Sequence, residues 1–248
     1  MSLKGLKDRV VIVTGGASGI GRATATRLVA EGSCVALVDI DGEAASAVAA
    51  QLGSTVLPLT ADVSREEDVH NYFAAAIEHF GRVDSLHNNA GIEGPLAPLA
   101  DFETEAFDRL VRINYYGIFF NLREMLQTAR RSGTRATIVN TSSGTALHGV
   151  PGLGAYGSTK AAIIGMTRAA AIENAASGIR VNAVAPGPVD TPLFDRFGSE
   201  FRGEVGNILP VGRIGTAGEI AAVVAFLLSD EAPFITGAVF PIDGGETA

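Results

Sequence analysis

The stretch from Val10 to Gly21 constrains the fold more than any other part of the chain. A short β-branched run, Val10 to Thr14, leads straight into Gly15-Gly16-Ala17-Ser18-Gly19-Ile20-Gly21 and then into a helical pattern. A strand, a glycine turn and a helix N-terminus in that order make an anion site. Backbone N–H groups and the helix dipole face the anion, and the absent Cβ atoms let it come close. The spacing of Gly15, Gly19 and Gly21 is G-x-x-x-G-x-G, not the common G-x-G-x-x-G. A glycine turn alone is a weak signal, but directly after a first strand it points to the pyrophosphate of a dinucleotide. Asp39 ends the second strand, twenty residues past Gly19. A carboxylate there accepts from the adenosine ribose hydroxyls and repels a 2′-phosphate, so NAD is the expected cofactor. The plainer reading of Asp39 is a solvated loop carboxylate, and Asp41 competes for its role.

The rest of the chain continues the alternation. Strands are expected at Cys34–Asp39, Thr55–Leu59, Asp84–Asn88, Ala136–Thr141, Ile179–Ala185 and Ala238–Ile242. Helices are expected at Ile20–Glu31, Glu43–Leu52, Thr104–Arg131 with a break near Gly117, and Tyr156–Ala176. Two capping boxes, Ser64-Arg65-Glu66-Glu67 and Thr216-Ala217-Gly218-Glu219, mark further helix starts. The first of these helices carries Val69, Phe73, Ile77 and Phe80 at helical spacing and ends at Gly81. Strands separated by helices imply parallel crossovers, hence an α/β, doubly wound, Rossmann-type sheet with helices on both faces. Without a linker or repeat, residues 1–248 read as one domain, with an excursion over the surface at about 186–215.

Composition narrows the function classes. Hydrophobic residues make up 47% of the chain, enough for a large core, and the net charge of −8 argues against nucleic acid or an anionic membrane as partner. The one cysteine, Cys34, reads as a strand core residue, and no metal-ligand spacing occurs. The opening stretch does not read as a signal peptide, and no apolar run approaches the roughly 18 residues of a membrane span. The expected location is the cytoplasm.

Tyr156-Gly157-Ser158-Thr159-Lys160 sets a tyrosine and a lysine four apart at a helix start, on one face. A neighbouring ammonium favours the phenolate, which suits a group that must take and return an alcohol proton. Taken singly, such a pair is usually surface packing. Asn114 alone would read as backbone repair, Asn88 and Asn89 as strand-end caps, and Ser142 and Ser143 as loop hydroxyls.

Together these pieces are specific. The chain resembles the short-chain dehydrogenase/reductase family, in its short single-domain form, over essentially its whole length. The resemblance rests on TGGASGIG at 14–21, Asp39, Asp62-Val63, Asn88-Asn89-Ala90-Gly91, Asn114, Ser142-Ser143, YGSTK at 156–160, Pro186-Gly187 with Thr191, and ITGAVFPIDGG at 235–245. It implies seven parallel strands in the order 3-2-1-4-5-6-7. It implies Tyr156 as catalytic acid/base, and Lys160 as the residue that favours its phenolate and holds the nicotinamide ribose. The family serine stands thirteen positions before the tyrosine, which selects Ser143 over Ser142 to hold the substrate oxygen. Asn114 would hold a water in a proton relay through Lys160. Gly15, Ser18, Gly19, Ile20 and Gly21 would cradle the dinucleotide, with Asp62 and Val63 at the adenine and Asn89, Ala90 and Gly91 beside the adenosine ribose. Pro186, Gly187, Val189 and Thr191 would hold the nicotinamide end.

The expected activity is hydride transfer between NAD(H) and a small, mostly apolar secondary alcohol or ketone, cyclic ones included, by a homotetramer. Leu193, Phe194, Phe197, Phe201, Ile208 and Leu209 would bound the substrate on one side, and Leu147, His148 and Val150 on the other. Three alternatives stand beside this reading. An NADPH-dependent 3-oxoacyl-carrier-protein reductase is disfavoured by Asp39, by the non-basic Ser18 and by the lack of a clear basic docking patch. A non-catalytic dinucleotide-binding module is disfavoured by the intact Ser143, Tyr156 and Lys160. An epimerase or dehydratase on the same fold would usually carry a larger substrate domain.

Overall fold

The computed structural model describes residues 2–195 and 198–248, and the side chains of these except 195–202. The apolar run of β1 (Val10–Thr14) splits by period two between the faces of a sheet. Val10 and Ile12 enter one core layer, and Val11 and Val13 the other. A strand buried on both sides reads as a continuous apolar run, which is why β1 shows no polar alternation.

α1 (Gly19–Ala30), β2 (Cys34–Asp39), α2 (Gly42–Leu52), β3 (Val56–Thr60) and α3 (Glu66–Phe80) follow. Then come β4 (Ser85–Asn88), α4 (Thr104–Leu110), a π turn (Val111–Tyr116) and α5 (Gly117–Ser132). β5 (Thr137–Thr141), α6 (Gly154–Asn174) and β6 (Arg180–Pro186) complete the central part. The 186–215 excursion holds β7 (Val189–Asp190), α7 (Pro192–Asp195) and α8 (Gly198–Ile208); β7 pairs with β8 (Gly215–Thr216). α9 (Ala217–Leu228) and β9 (Val239–Ile242) close the chain.

The main sheet has seven parallel strands in the order β3-β2-β1-β4-β5-β6-β9. With β9 as its seventh strand, this is the expected order. Leu28 of α1, Val48 of α2 and Val224 of α9 cover one face, and Phe73 of α3, Met125 of α5 and Ala170 of α6 cover the other. The order reverses between β1 and β4, so the loops leaving these strands diverge and open a crevice beyond their carboxyl ends.

Three expectations change. Ser64 forms no capping box: α3 starts at Glu66 with Arg65 as N-cap and no side-chain cap. Asp62 instead accepts from the Ser64 N–H at 2.9 Å, and Asp68 accepts from the Asp62 N–H at 3.0 Å, so the donor the box needs is already bound locally. The break in the long helix is the π turn before Gly117, not Gly117 itself. A Cβ at Gly117 would stand 3.0 Å from Val63 Cγ2, so this glycine serves close approach of α5 to the loop after β3. Cys34 is partly buried at the start of β2 rather than deep in the core. The second capping box forms as expected, with Thr216 and Glu219 reciprocally bonded.

Candidate active site

The crevice at the carboxyl ends of the strands is a cleft of about 750 Å³. The turn after β1 forms its first wall because Gly15 (φ 63°) and Gly19 (φ 49°) occupy left-handed backbone that side chains resist. Ser18 caps α1 through its extended backbone and makes no side-chain cap bond, so the first-turn N–H groups stay open toward the cleft. Gly21 does not line the cleft. A Cβ there would collide with the Gly15 carbonyl, so Gly21 shapes the turn from beneath. This is a cradle built for an anion, and it fits the pyrophosphate of a dinucleotide.

Asp39 lines the cleft at the end of β2 and braces the turn: its carboxylate accepts from the Ala17 N–H at 2.9 Å and the Asp41 N–H at 3.1 Å. Asp41 is occupied as the N-cap of α2, accepting from the Ala44 N–H at 3.0 Å. Of the two carboxylates, Asp39 is the one that faces the cleft. Asp62 and Val63 line it from the end of β3. Asn89, Ala90 and Gly91 line it after β4, and the Thr14 hydroxyl pins this loop by accepting from the Asn89 and Ala90 N–H groups at 2.9 and 3.1 Å. The Asn89 side chain is spent on the protein, donating to the Thr14 carbonyl and accepting from the Thr141 hydroxyl.

The chemistry-bearing residues gather at the ends of β5 and α6. Lys160 is 3% exposed, and its Nζ donates to the Thr141 carbonyl at 3.0 Å and stands 5.7 Å from the Tyr156 ring centroid. Burial pulls its ammonium from 10.5 down to about 8, still protonated at neutral pH. Two adjacent serines separate cleanly. The Ser142 hydroxyl is buried and donates to the Lys160 carbonyl at 2.8 Å, tying β5 to α6. The Ser143 hydroxyl accepts from Thr145 at 2.9 Å and lines the cleft beside Tyr156 and Lys160.

Asn114 does not line the cleft. Carried on the π turn and fully buried, it accepts from the Ile92 N–H at 2.8 Å and donates to the Ile92 carbonyl at 2.7 Å and the Thr159 hydroxyl at 3.2 Å. It therefore ties the β4 loop to α6. Gly91 packs against both Asn114 and Lys160: a Cβ there would lie 3.0 Å from Asn114 Oδ1 and 3.1 Å from Lys160 Nζ.

Pro186, Gly187, Val189 and Thr191 line the far end. Leu193, Phe194, Ile208 and Val150 line the cleft as expected, whereas Leu147, His148 and Leu209 do not; Leu209 is buried in the core. Phe197 and the side chain of Phe201 lie outside what the structure describes. Sequence reasoning missed Ile92, Leu96 and Leu153 on the apolar wall, and Glu246, which reaches the cleft from the C-terminal turn. No pattern in the chain links these positions; the fold alone brings them together.

Comparison with known proteins places this geometry. The family model described as enoyl-(acyl carrier protein) reductase, of the short-chain dehydrogenase/reductase type, matches residues 15–247. Levodione reductase of Leifsonia aquatica is 42% identical, covering 97% of this chain and 95% of its own. A crystal structure of a levodione reductase, 42% identical, superposes with a TM-score of 0.93 over 97% of this chain and 98% of that one. A 2,5-dichloro-2,5-cyclohexadiene-1,4-diol dehydrogenase of Sphingobium indicum is 41% identical over 98% of both chains. A 3-ketoacyl-(acyl-carrier-protein) reductase of Brucella melitensis, solved with NADH, is 35% identical with a TM-score of 0.93 over 98% of this chain and all of its own.

Proposed function

Since the chain belongs to the short-chain dehydrogenase/reductase family, oxidoreductases of CH–OH groups that use a nicotinamide dinucleotide, we propose that it interconverts a small cyclic secondary alcohol and its ketone with NAD(H). One observation carries the reading: the buried Lys160 ammonium stands 5.7 Å from the Tyr156 ring on the same cleft into which the glycine turn opens. The names of the levodione and cyclohexadiene-diol relatives support a cyclic substrate, as does the apolar wall of Ile92, Leu96, Val150, Leu153, Leu193 and Phe194.

The dinucleotide would be held by Gly15, Ser18, Gly19 and Ile20 at its pyrophosphate and by Asp39 at the adenosine ribose. Asp62, Val63, Ala90 and Gly91 would flank its adenosine half, with Pro186, Gly187, Val189 and Thr191 at the nicotinamide. When bound, it supplies the hydride acceptor or donor for the carbinol carbon. Ser143 and Tyr156 hold the substrate oxygen. In oxidation Tyr156 as phenolate takes the hydroxyl proton while the C–H bond breaks and C=O forms; in reduction it returns that proton. Lys160 stabilises negative charge on the phenol oxygen. Asn114 acts by position, holding the Ile92 loop against α6 next to Lys160.

The carboxylate of Asp39 supports NAD over NADP, because a 2′-phosphate beside it would place like charges together. The Brucella relative keeps a second reading alive, reduction of an acyl-carrier thioester. Assaying a panel of cyclic alcohols and ketones against an acyl thioester, each with NAD(H) and NADP(H), decides between them. Turnover of cyclic alcohols with NAD⁺ is expected. Activity confined to the thioester with NADPH would overturn the proposal.

A further inference from the structure

Glu93, Arg109 and Glu246 are charged residues lining the cleft that the proposed reaction leaves unused, and of these Glu246 rests against the serine loop. The turn after β9 folds around the Asp243 carboxylate, which accepts from the Gly245 and Thr247 N–H groups at 3.0 and 3.2 Å, and so carries the next carboxylate inward. Two glycines make room for it. A Cβ at Gly144, next to Ser143, or at Gly187 would each lie 3.0 Å from Glu246 Oε2. The carboxylate thus rests on bare backbone between the serine loop and the Pro186-Gly187 end of the cleft. Its side chain is 23% exposed, and burial raises its pKa.

Among the described residues, two charged groups act on it: His148, with Nε2 at 3.8 Å from Oε1, beyond hydrogen-bonding distance, and Asp243, whose carboxylate adds to the upward shift. The other ring nitrogen, Nδ1, lies 3.1 Å from the Gly144 carbonyl, which can only accept, so Nδ1 carries the hydrogen. In the neutral ring Nε2 then turns a lone pair toward Glu246, and the pair attracts only when it holds one further proton. Oε2 rests beside Gly144 and Gly187, on the lining of the cleft. A carboxylate oxygen that no protein group donates to among the described residues is available to accept from a hydroxyl that displaces its water.

Resting on the alcohol/ketone reading above, we infer that Glu246 is a specificity residue that accepts a hydrogen bond from a second hydroxyl of the substrate, so that the preferred substrates are cyclic diols and the matching hydroxyketones. The reacting oxygen goes to Ser143 and Tyr156, and the spare hydroxyl goes to Glu246 Oε2. A charge-assisted hydrogen bond of this kind changes kcat/KM by about tenfold or more.

The test measures kcat/KM with NAD⁺ for cyclohexanol and for the 1,2-, 1,3- and 1,4-cyclohexanediols. It uses the wild type, Glu246→Gln and Glu246→Ala, with NADH fluorescence showing that each protein is folded. The wild type is expected to favour at least one diol over cyclohexanol by about tenfold. In Glu246→Ala that ratio should fall toward one, mainly through the diol KM, while Glu246→Gln, whose amide oxygen still accepts, keeps part of it. A ratio near one in the wild type, or the same ratio in all three proteins, overturns this inference while leaving the alcohol reading intact. Turnover of none of the four alcohols by the wild type would overturn both.

Discussion

The Lys160 ammonium sits in the protein at a cost, because burial draws its pKa from 10.5 to about 8. Between those values the unfolded chain holds a proton that the folded chain has released, so stability rises with pH across that window. Lys160→Met removes the buried charge and keeps most of the volume. At pH 7 this variant should be more stable than the wild type by about 1–2 kcal/mol in urea unfolding, with the difference closing toward pH 10, while turnover is lost. A less stable variant at pH 7 would show that the Thr141 carbonyl and its surroundings compensate the charge. Asp39 has a double tie, to the Ala17 N–H and to cofactor choice. The wild type should favour NAD(H) over NADP(H) by about a hundredfold in kcat/KM. Asp39→Ala should narrow that gap and, by stranding the Ala17 donor, cost about 1 kcal/mol of stability. Equal efficiency with both cofactors in the wild type would refute the role. The local motifs around these residues are readable in the sequence because each lies within one strand-to-helix junction. Glu246 is not, because it meets Gly144 and Gly187 only after the sheet has brought β5, β6 and β9 side by side.

At the level of elements, the two capping boxes in the sequence have different fates and make a paired test. Thr216→Ala removes a reciprocal cap and should cost about 1 kcal/mol in denaturant unfolding. Ser64→Ala should cost under about 0.5 kcal/mol, because the Ser64 side chain caps nothing in α3. Equal losses would mean that Ser64 does cap the helix. The pattern S-x-x-E is the same signal as T-x-x-E; what differs is Asp62 two residues earlier, a competing acceptor that a four-residue motif does not weigh. The π turn is equally hidden. Hydrophobic spacing foretells a helix over 104–131, but the extra residue per turn answers to Asn114, whose amide must meet Ile92 and Thr159 at once.

For the whole molecule, the unbroken apolar run of β1 and the alternation of strands and helices make the doubly wound sheet readable from the residues alone. The strand order came from the family resemblance, since crossover lengths alone do not fix it. Phe107, Tyr116 and Phe119 on the α4–α5 surface and Ile172 on α6 are exposed large hydrophobics, at 39%, 46%, 38% and 82%. We expect these helices to pair between subunits, each C2 interface using one patch twice, to give a tetramer. Light scattering that finds only monomer at micromolar concentration would contradict this. The proposed proton transfer turns on Tyr156, and Tyr156→Phe tests it most directly because it deletes one oxygen and keeps the ring. Single-turnover hydride transfer and NADH binding by fluorescence are measured for wild type and variant. Hydride transfer should fall by about 10²- to 10⁴-fold, with NADH affinity within a few-fold of wild type. Wild-type turnover in Tyr156→Phe would contradict it.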